Sequence, residues 1–549
     1  MVNSSEIIGK RLHHAGCRKA YGIPGGEVLV LMDGLRKAGI EFVLTKHENS
    51  AGFMAEGGYH QDGAPGILVA TLGPGVANAV NVVLNAFQDR VPMIFLTGCV
   101  DAVEGMTYTH QVINHSELLK ACTKASINVV DGAVGVAIDK AIAIALDGQP
   151  GPVHVDVAIS VAAKEQPEQD MIVRTMPSPS APAEGPALET ARNWLREAKQ
   201  PLLIAGVDVL NQHGEKTIAK FARDFQIPLI TTYKAKGVLP EDDPLALGGG
   251  GLSPMADNHL LPLLKKSDLI ILAGYDPIEM RVGWRNPWDK GARVLEFSAV
   301  PNTHYMHLAN LSFVGDVAAG IQTLRRNIIP KEEVWVNGEP KAVRGLLKNF
   351  FSTATSANEE WGPAEVIDGI RKALPRNTVA TADSGAHRIL LSQMWECYAA
   401  RGLLQSTALC TMGCAVPLAM GYRLAAQSGT SDANSDVPPV VAFVGDAGME
   451  MVLGELATLR DLKLPVLIVV FVDKSLALIE IKQRKFGLPN LGVDFGATDF
   501  PACAEALGGV GRLVTNGDEL REGLEGVFQR QTFTLLACVI GEHAYDKRF

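Results

Sequence analysis

No run of one charge stands out in this chain. Its 50 lysines and arginines face 60 aspartates and glutamates, leaving a net charge of −10. With no basic stretch, nucleic acid and anionic membrane are not expected partners. No apolar run reaches the length of a membrane span and no secretory signal is read, so a cytoplasmic protein is expected. The eight cysteines are scattered without metal-ligating spacing. Cys410 and Cys414 are the nearest pair, and their Leu, Met, Gly, Ala and Val neighbours suggest burial rather than zinc. Reduced thiols fit the same compartment. Short repeats and low-complexity tracts are also missing, which excludes a solenoid.

What is present is the composition of a folded globular protein, 47% apolar and 20% charged. A chain of 549 residues exceeds one hydrophobic core. Strand-like and helical stretches alternate in three blocks, predicting an α/β protein of three doubly wound parallel-sheet domains, 1–162, 187–335 and 361–549. In the first, 41–48, 66–72 and 92–99 read as strands, with helices at 50–61 and 76–88. In the second, the strands are 201–207, 227–232, 268–274 and 292–297. In the third they are 378–383, 440–444, 466–472 and 533–540. The stretch 163–186, rich in Pro, Ser, Ala, Gln and Glu, reads as a linker, as does 336–360.

The most informative stretch is 440–483. Val440-Val441-Ala442-Phe443-Val444 and the run from Val466 to Val472 are continuously apolar, as strands covered on both faces are. Between them Met449, Val452, Leu456 and Leu459 recur at helical spacing. Asp446 and Asp473 then leave the same C-terminal edge of one sheet, where open α/β folds bind ligands. The N–H groups of Ala447 and Gly448, beside Gly445, open the helix and can hold an anion. Two carboxylates beside an anion cradle suggest Mg²⁺ carrying a diphosphate.

Gly445-Asp446-Ala447, followed by Val472-Asp473-Lys474-Ser475, resembles the fingerprint of thiamine diphosphate enzymes, usually Gly-Asp-Gly and later Asn-Asn. Ala447 and Val472-Asp473 depart from it, but Asp473 still offers a hard oxygen. Three first-block motifs extend the resemblance in the same order. These are Tyr21-Gly22-Ile23-Pro24-Gly25-Gly26, read as a turn after a helix, Lys46-His47-Glu48, read as a strand end, and Thr71-Leu72-Gly73-Pro74-Gly75. Together they are similar to acetolactate synthases within the 2-oxo-acid decarboxylase family.

The resemblance implies thiamine diphosphate and Mg²⁺, with Asp446, Asp473 and Ser475 as metal ligands. In that family the glutamate matching Glu48 hydrogen-bonds N1′ of the aminopyrimidine and promotes loss of the C2 proton. Pro24, Gly25 and Gly73 would border the cofactor and Gly26 the substrate. Asp383-Ser384-Gly385-Ala386-His387 places His387 at the diphosphate. Leu409-Cys410-Thr411-Met412-Gly413 makes Met412 the wedge beneath the cofactor and the Cys410 carbonyl the acceptor for its 4′-amino group. Cys where Gly is usual implies a backbone that avoids positive φ. Gln111 falls on a catalytic-loop glutamine, with His110 in place of a pocket phenylalanine, while His47 and His115 read as structural or solvated. Arg281 resembles an arginine that contacts substrate. Lys482 stands where acetohydroxyacid synthases carry a tryptophan, facing either an acidic substrate or solvent. Glu480 is discounted as a proton donor.

The implied activity is decarboxylation of a 2-oxo acid with carboligation. The alternatives are simple decarboxylation, lyase chemistry on a 2-hydroxyketone or aldehyde, and cofactor binding without turnover. Relatives carry FAD, ADP or nothing on the central domain, and the Gly248–Gly251 run leaves that open. A nicotinamide dehydrogenase is disfavoured because no glycine fingerprint with an acidic ribose ligand is found. In the family different subunits hold the two ends of one cofactor, so a homodimer or homotetramer with sites between subunits is expected.

Overall fold

Apolar runs interrupted by glycine-bearing turns favour buried parallel strands with helices on both faces. The computed structural model, which describes residues 1–167, 177–278, 280–331, 333–353, 361–428 and 437–548, contains three six-stranded parallel sheets built this way. The first comprises β1 (Lys19–Ile23), β2 (Glu41–Leu44), β3 (Gly66–Ala70), β4 (Met93–Cys99), β5 (Ala125–Asn128) and β6 (Pro152–Ala158). They lie in the order β2-β1-β3-β4-β6-β5. The central sheet holds β7 (Pro201–Ala205), β8 (Leu229–Thr231), β9 (Ala246–Gly249), β10 (Leu269–Ala273), β11 (Arg293–Ser298) and β12 (Leu311–Val314). Its order is β9-β8-β7-β10-β11-β12.

The last sheet holds β13 (Val379–Ala382), β14 (Leu403–Gln405), β15 (Val440–Gly445), β16 (Leu467–Val472), β17 (Val510–Val514) and β18 (Thr534–Val539). It runs β14-β13-β15-β16-β18-β17, the same winding as the first sheet. A short antiparallel pair joins Val2–Asn3 to Glu165–Gln166.

The first and last domains share one core. Helix Glu48–Asp62 lies against helix Ala415–Ser428. A Cβ on Gly57 would stand 2.2 Å from the Leu418 carbonyl oxygen, and one on Gly421 1.9 Å from that of Met54. Glycine at both positions lets the two backbones touch.

Several local expectations are corrected. The strand read at 41–48 ends at Leu44, and Glu48 opens a helix. His47 caps that helix, accepting from the Asn49 N–H at 3.0 Å, and the cap overrides the alternating pattern. The Tyr21–Gly26 turn follows a strand rather than a helix. The helical run after β15 is broken around Gly454 into Asp446–Met451 and Glu455–Asp461, yet Met449, Val452, Leu456 and Leu459 are all buried. The stretch 336–360 contains helix Glu339–Phe350, with 354–360 outside the described residues. Of 163–186, residues 168–176 lie outside them as well.

Candidate active site

In each sheet the chain first adds to one side of its first strand and then crosses to the other side, and that switch opens the crevice where such folds bind ligands. In the last sheet it falls between β13 and β15. Asp383, just beyond β13, is fully buried and accepts the N–H groups of Gly413 and Cys414 at 2.8 Å each. Burial pushes its carboxyl up to about 6. Its Oδ2 lies 2.0 Å from where a Cβ on Gly448 would stand, so only glycine fits there.

Adjacent strands β15 and β16 deliver Asp446 and Asp473 side by side. Asp446 Oδ2 accepts from the N–H groups of Asp473 (3.1 Å) and Lys474 (2.7 Å), and its Oδ1 from that of Ala447 (2.9 Å). Asp473 Oδ1 accepts from the Ser475 N–H at 3.2 Å. Burial, and then the Asp446 charge, pushes Asp473 up to about 7, while burial also raises Asp446. A buried carboxylate beside a half-buried one suits a cation.

Two atoms at this site are buried with no hydrogen-bond partner among the described residues, Ser475 Oγ and His387 Nε2. Both residues border a cavity of about 130 Å³ that Met412, Ala447 and Gly448 also line. His387 stacks on Phe471 with ring centroids 5.4 Å apart, and burial lowers it to about 3, keeping the imidazole neutral. Carboxylates with a hydroxyl suit a hard divalent cation, and a neutral imidazole beside a helix start suits a phosphate. The donor set therefore fits a metal-bound diphosphate.

A second constellation lies at the switch of the first sheet, between β1 and β3. The turn after β1 carries Pro24, Gly25 and Gly26, and the turn after β3 carries Gly73 and Gly75. A Cβ on Gly25 would lie 2.2 Å from Thr71 Oγ1, and that hydroxyl donates to Glu27 Oε2 at 2.6 Å. Glu48 is buried, and its Oε2 accepts from Asn78 Nδ2 at 3.1 Å. Its Oε1 faces Gly75, 3.5 Å from that residue's absent Cβ. The Gln111 carbonyl packs against Gly73, within 2.5 Å of where a Cβ would be. His110 and Gln111 lie on an exposed loop, Gln111 with a left-handed φ of 60°.

Among the described residues, all those lining the last-domain cavity come from the last domain, so Glu48 does not border it. Gly445 and Met412 border it, whereas Arg281 and Lys482 are exposed and do not. Arg281 Nη1 lies 3.5 Å from the Leu252 carbonyl. The expectation for Cys410 is overturned: its φ is 55°, the left-handed region that glycine favours. Its Sγ accepts from Arg388 Nη2 and donates to the Thr407 carbonyl, both at 3.2 Å, and these contacts hold the strained turn. Glu480 accepts from Nε and Nη2 of Arg484 at 2.7 and 2.9 Å.

Sequence reasoning missed Asn78, the partner of Glu48, and Glu455, which accepts from the Lys46 N–H at 2.9 Å. A signal was there. Asn78, Asn81, Asn85 and Asp89 recur along one face of an otherwise apolar helix, and the last three bond Thr411, Ser406 and Thr407.

Comparison with known families decides what this two-part arrangement is. Residues 2–118 match the family model for the thiamine pyrophosphate enzyme N-terminal TPP binding domain. Residues 188–324 match the central domain, and residues 383–538 the C-terminal TPP binding domain. The chain belongs to the thiamine pyrophosphate enzymes. Each half of the split site lies in one of the two domains described as TPP binding. Acetolactate synthase of Bacillus subtilis is 27% identical, covering 95% of this chain and 90% of its own length. A probable acetolactate synthase large subunit of Methanocaldococcus jannaschii is 26% identical, with coverages of 97% and 91%. The isozyme 1 large subunit of Escherichia coli is 28% identical, with 88% and 84%. This thiamine pyrophosphate enzyme is therefore acetolactate synthase-like along nearly its whole length.

Proposed function

We propose that this chain is a thiamine diphosphate- and Mg²⁺-dependent carboligase that decarboxylates a 2-oxo acid and joins the remaining fragment to a second carbonyl compound, as in acetolactate formation. The observation that carries this is the pairing of Glu48, buried and bonded to Asn78, with the unpartnered Ser475 and His387 atoms beside Asp446 and Asp473. When bound, the coenzyme supplies a carbon nucleophile and an electron sink.

The chain's own residues do the rest. Asp446, Asp473 and Ser475 hold the metal, while His387, with the Gly445–Gly448 turn, holds the diphosphate. Glu48 would donate a proton to the pyrimidine ring nitrogen and take it back, passing it to and fro over the cycle. Met412, which lines the cavity, would pack against the cofactor, and the Cys410 carbonyl would accept from its amino group. Pro24, Gly25 and Gly73 form the wall on the Glu48 side. His110 and Gln111, with Gly26, face the substrate, and Arg281 and Lys482 become part of that surface only where a second subunit closes over it. Since one chain's cavity lacks first-domain residues, the working site forms between subunits of a homo-oligomer.

Flavin has no place in this reading. At the switch of the central sheet, between β7 and β10, the Gly206 N–H donates to the Ala273 carbonyl at 2.9 Å and the Asp208 N–H to that of Gly274 at 3.2 Å. A Cβ on Gly206 would stand 2.3 Å from the Gly274 oxygen. Asp208 Oδ2 takes the Ala299 N–H at 3.1 Å and Gln212 Oε1 the Val317 N–H at 2.8 Å. These bonds tie the chain to itself beside the crevice where doubly wound sheets hold a dinucleotide. The purified protein is therefore expected to be colourless and indifferent to added FAD; stoichiometric yellow flavin would overturn this part.

The main test is incubation with pyruvate and other 2-oxo acids, coenzyme and Mg²⁺, with products identified by mass. A carboligation product with CO₂ is expected. Glu48→Gln should lower turnover at least ~10²-fold, the scale of a lost proton-transfer group. Near-parent turnover in that variant rejects the assignment.

A further inference from the structure

Behind the Gly73 turn runs a buried chain of polar groups that neither half of the site uses. His115, Asp156, Thr97 and His154 are all buried in the first domain. The side-chain ligand atoms of His115, His154 and Asp156 lie within 4.8 Å of one another, which resembles a cation site. Every ring nitrogen, however, already has a hydrogen-bonding partner.

One fixed donor sets the protons. The Gly73 backbone N–H donates to His115 Nε2 at 3.3 Å, so that nitrogen carries a lone pair and the ring proton sits on Nδ1. His115 Nδ1 is 3.1 Å from both oxygens of Asp156 and donates to that carboxylate. Thr97 Oγ1 donates to Asp156 Oδ1 at 2.7 Å, so it accepts from His154 Nε2, also at 2.7 Å. His154 Nδ1 then accepts from the Ser126 hydroxyl at 2.6 Å, and Ser126 accepts from Ser116 at 2.8 Å. Burial lowers His154 to about 4, consistent with the single ring proton this chain requires. One orientation satisfies every member.

The end that matters is Gly73. Its φ of 66° and ψ of −106° are open to glycine and little else, so the turn needs an anchor. It sits between the Gln111 carbonyl and Gly75, which faces Glu48. We propose that His115 and Asp156 are positioning residues for the Glu48 half of the site. Asp156 selects the His115 tautomer, and His115 holds the Gly73 N–H, keeping the Gly73–Gly75 turn in place against Glu48 and Gln111. A carboxylate fixing the tautomer of a working imidazole is the logic of second partners around histidine generally. The proposal rests on the coenzyme reading above for its functional meaning, but its geometry can be tested without coenzyme.

The purified full-length chain, ¹⁵N-labelled at histidine and free of coenzyme, should show one histidine protonated at Nδ1 with an unprotonated Nε2. That signal should vanish in His115→Gln. An Nε2-protonated His115 overturns the proposal whatever the coenzyme does. His115→Phe keeps the ring's shape and removes the acceptor, so calorimetry with thiamine diphosphate and Mg²⁺ should show binding weaker by about tenfold or more. His115→Gln, whose amide oxygen can reach the Gly73 N–H, should stay within about threefold of the parent. Equal binding by parent and His115→Phe refutes the role, as does equal loss in both variants, since packing alone would treat them alike. If His115→Phe does not fold, the tautomer in the unsubstituted chain decides. Failure of the unsubstituted chain to bind coenzyme would instead reject the underlying functional reading.

Discussion

Glu56 is a carboxyl group sealed inside the protein. It is buried on the helix that Glu48 opens, with Asn85 Nδ2 donating to its Oε2 at 3.0 Å and His60 Nε2 3.5 Å from its Oε1. Burial, reinforced by the charge of Asp89 and opposed by that of Lys234, pushes it up to about 8 from an ordinary 4.5. In that window the folded chain keeps a proton that the unfolded chain releases, so its contribution to stability is full below about 4.5 and is lost as pH rises through about 8. Glu56→Gln removes the proton linkage. Urea midpoints at pH near 5.5 and 8 should differ less for this variant than for the parent, and an unchanged difference would exclude Glu56 as the cause. At this scale the sequence was readable where chemistry is tied to local spacing. Asp446, Asp473 and Glu48 stood out because their neighbours form a pattern. Cys410 did not, because its left-handed turn is held by Arg388, 22 residues upstream, a contact no local pattern contains. Asn78 escaped for the same reason, its partner being 30 residues away.

Among the elements, the contact between helices Glu48–Asp62 and Ala415–Ser428 is the most sensitive to change. Gly57 and Gly421 each face a carbonyl of the opposite helix closer than a Cβ permits. Gly57→Ala or Gly421→Ala must push the helices apart, at a cost of about 1–3 kcal/mol as for overpacked cores. Thermal unfolding should show a lowered midpoint for each; parent-like melting would mean the helices relax freely. Strands with continuous apolar runs, such as β15 and β16, were legible because burial on both faces leaves a compositional mark. β6 was not, since it carries His154 and Asp156 within a buried strand. Those polar groups are satisfied only by side chains from other strands and from helix His115–Leu119. β1 was missed because its five residues, Lys19–Ile23, are too few to show a period beside a polar start.

For the whole molecule the decisive fact is that, among the described residues, the cavity beside Asp446 and Asp473 is lined by nothing from the chain's own first domain. Mixing Glu48→Gln with Asp446→Ala should therefore restore activity. In a mixed pair one site collects both defects and the other neither, so random exchange of subunits returns about a quarter of parent turnover. A mixture as inactive as its components would place both halves of the site in a single chain. The three-sheet plan was foreseeable from alternating strands and helices, but the shared winding of the outer sheets was not, because strand order depends on contacts between distant segments.

The backbone-to-backbone meshing of the Gly57 and Gly421 helices has a further consequence. Where Gly57 and Gly421 bring the two backbones together there is no layer of side chains to slide along, so shear between these two domains is resisted at that point. Opening is left instead to surface segments such as residues 100–114, where Val103 and Met106 stand 84% and 83% exposed, and because that segment carries His110 and Gln111 its pace bears directly on substrate access.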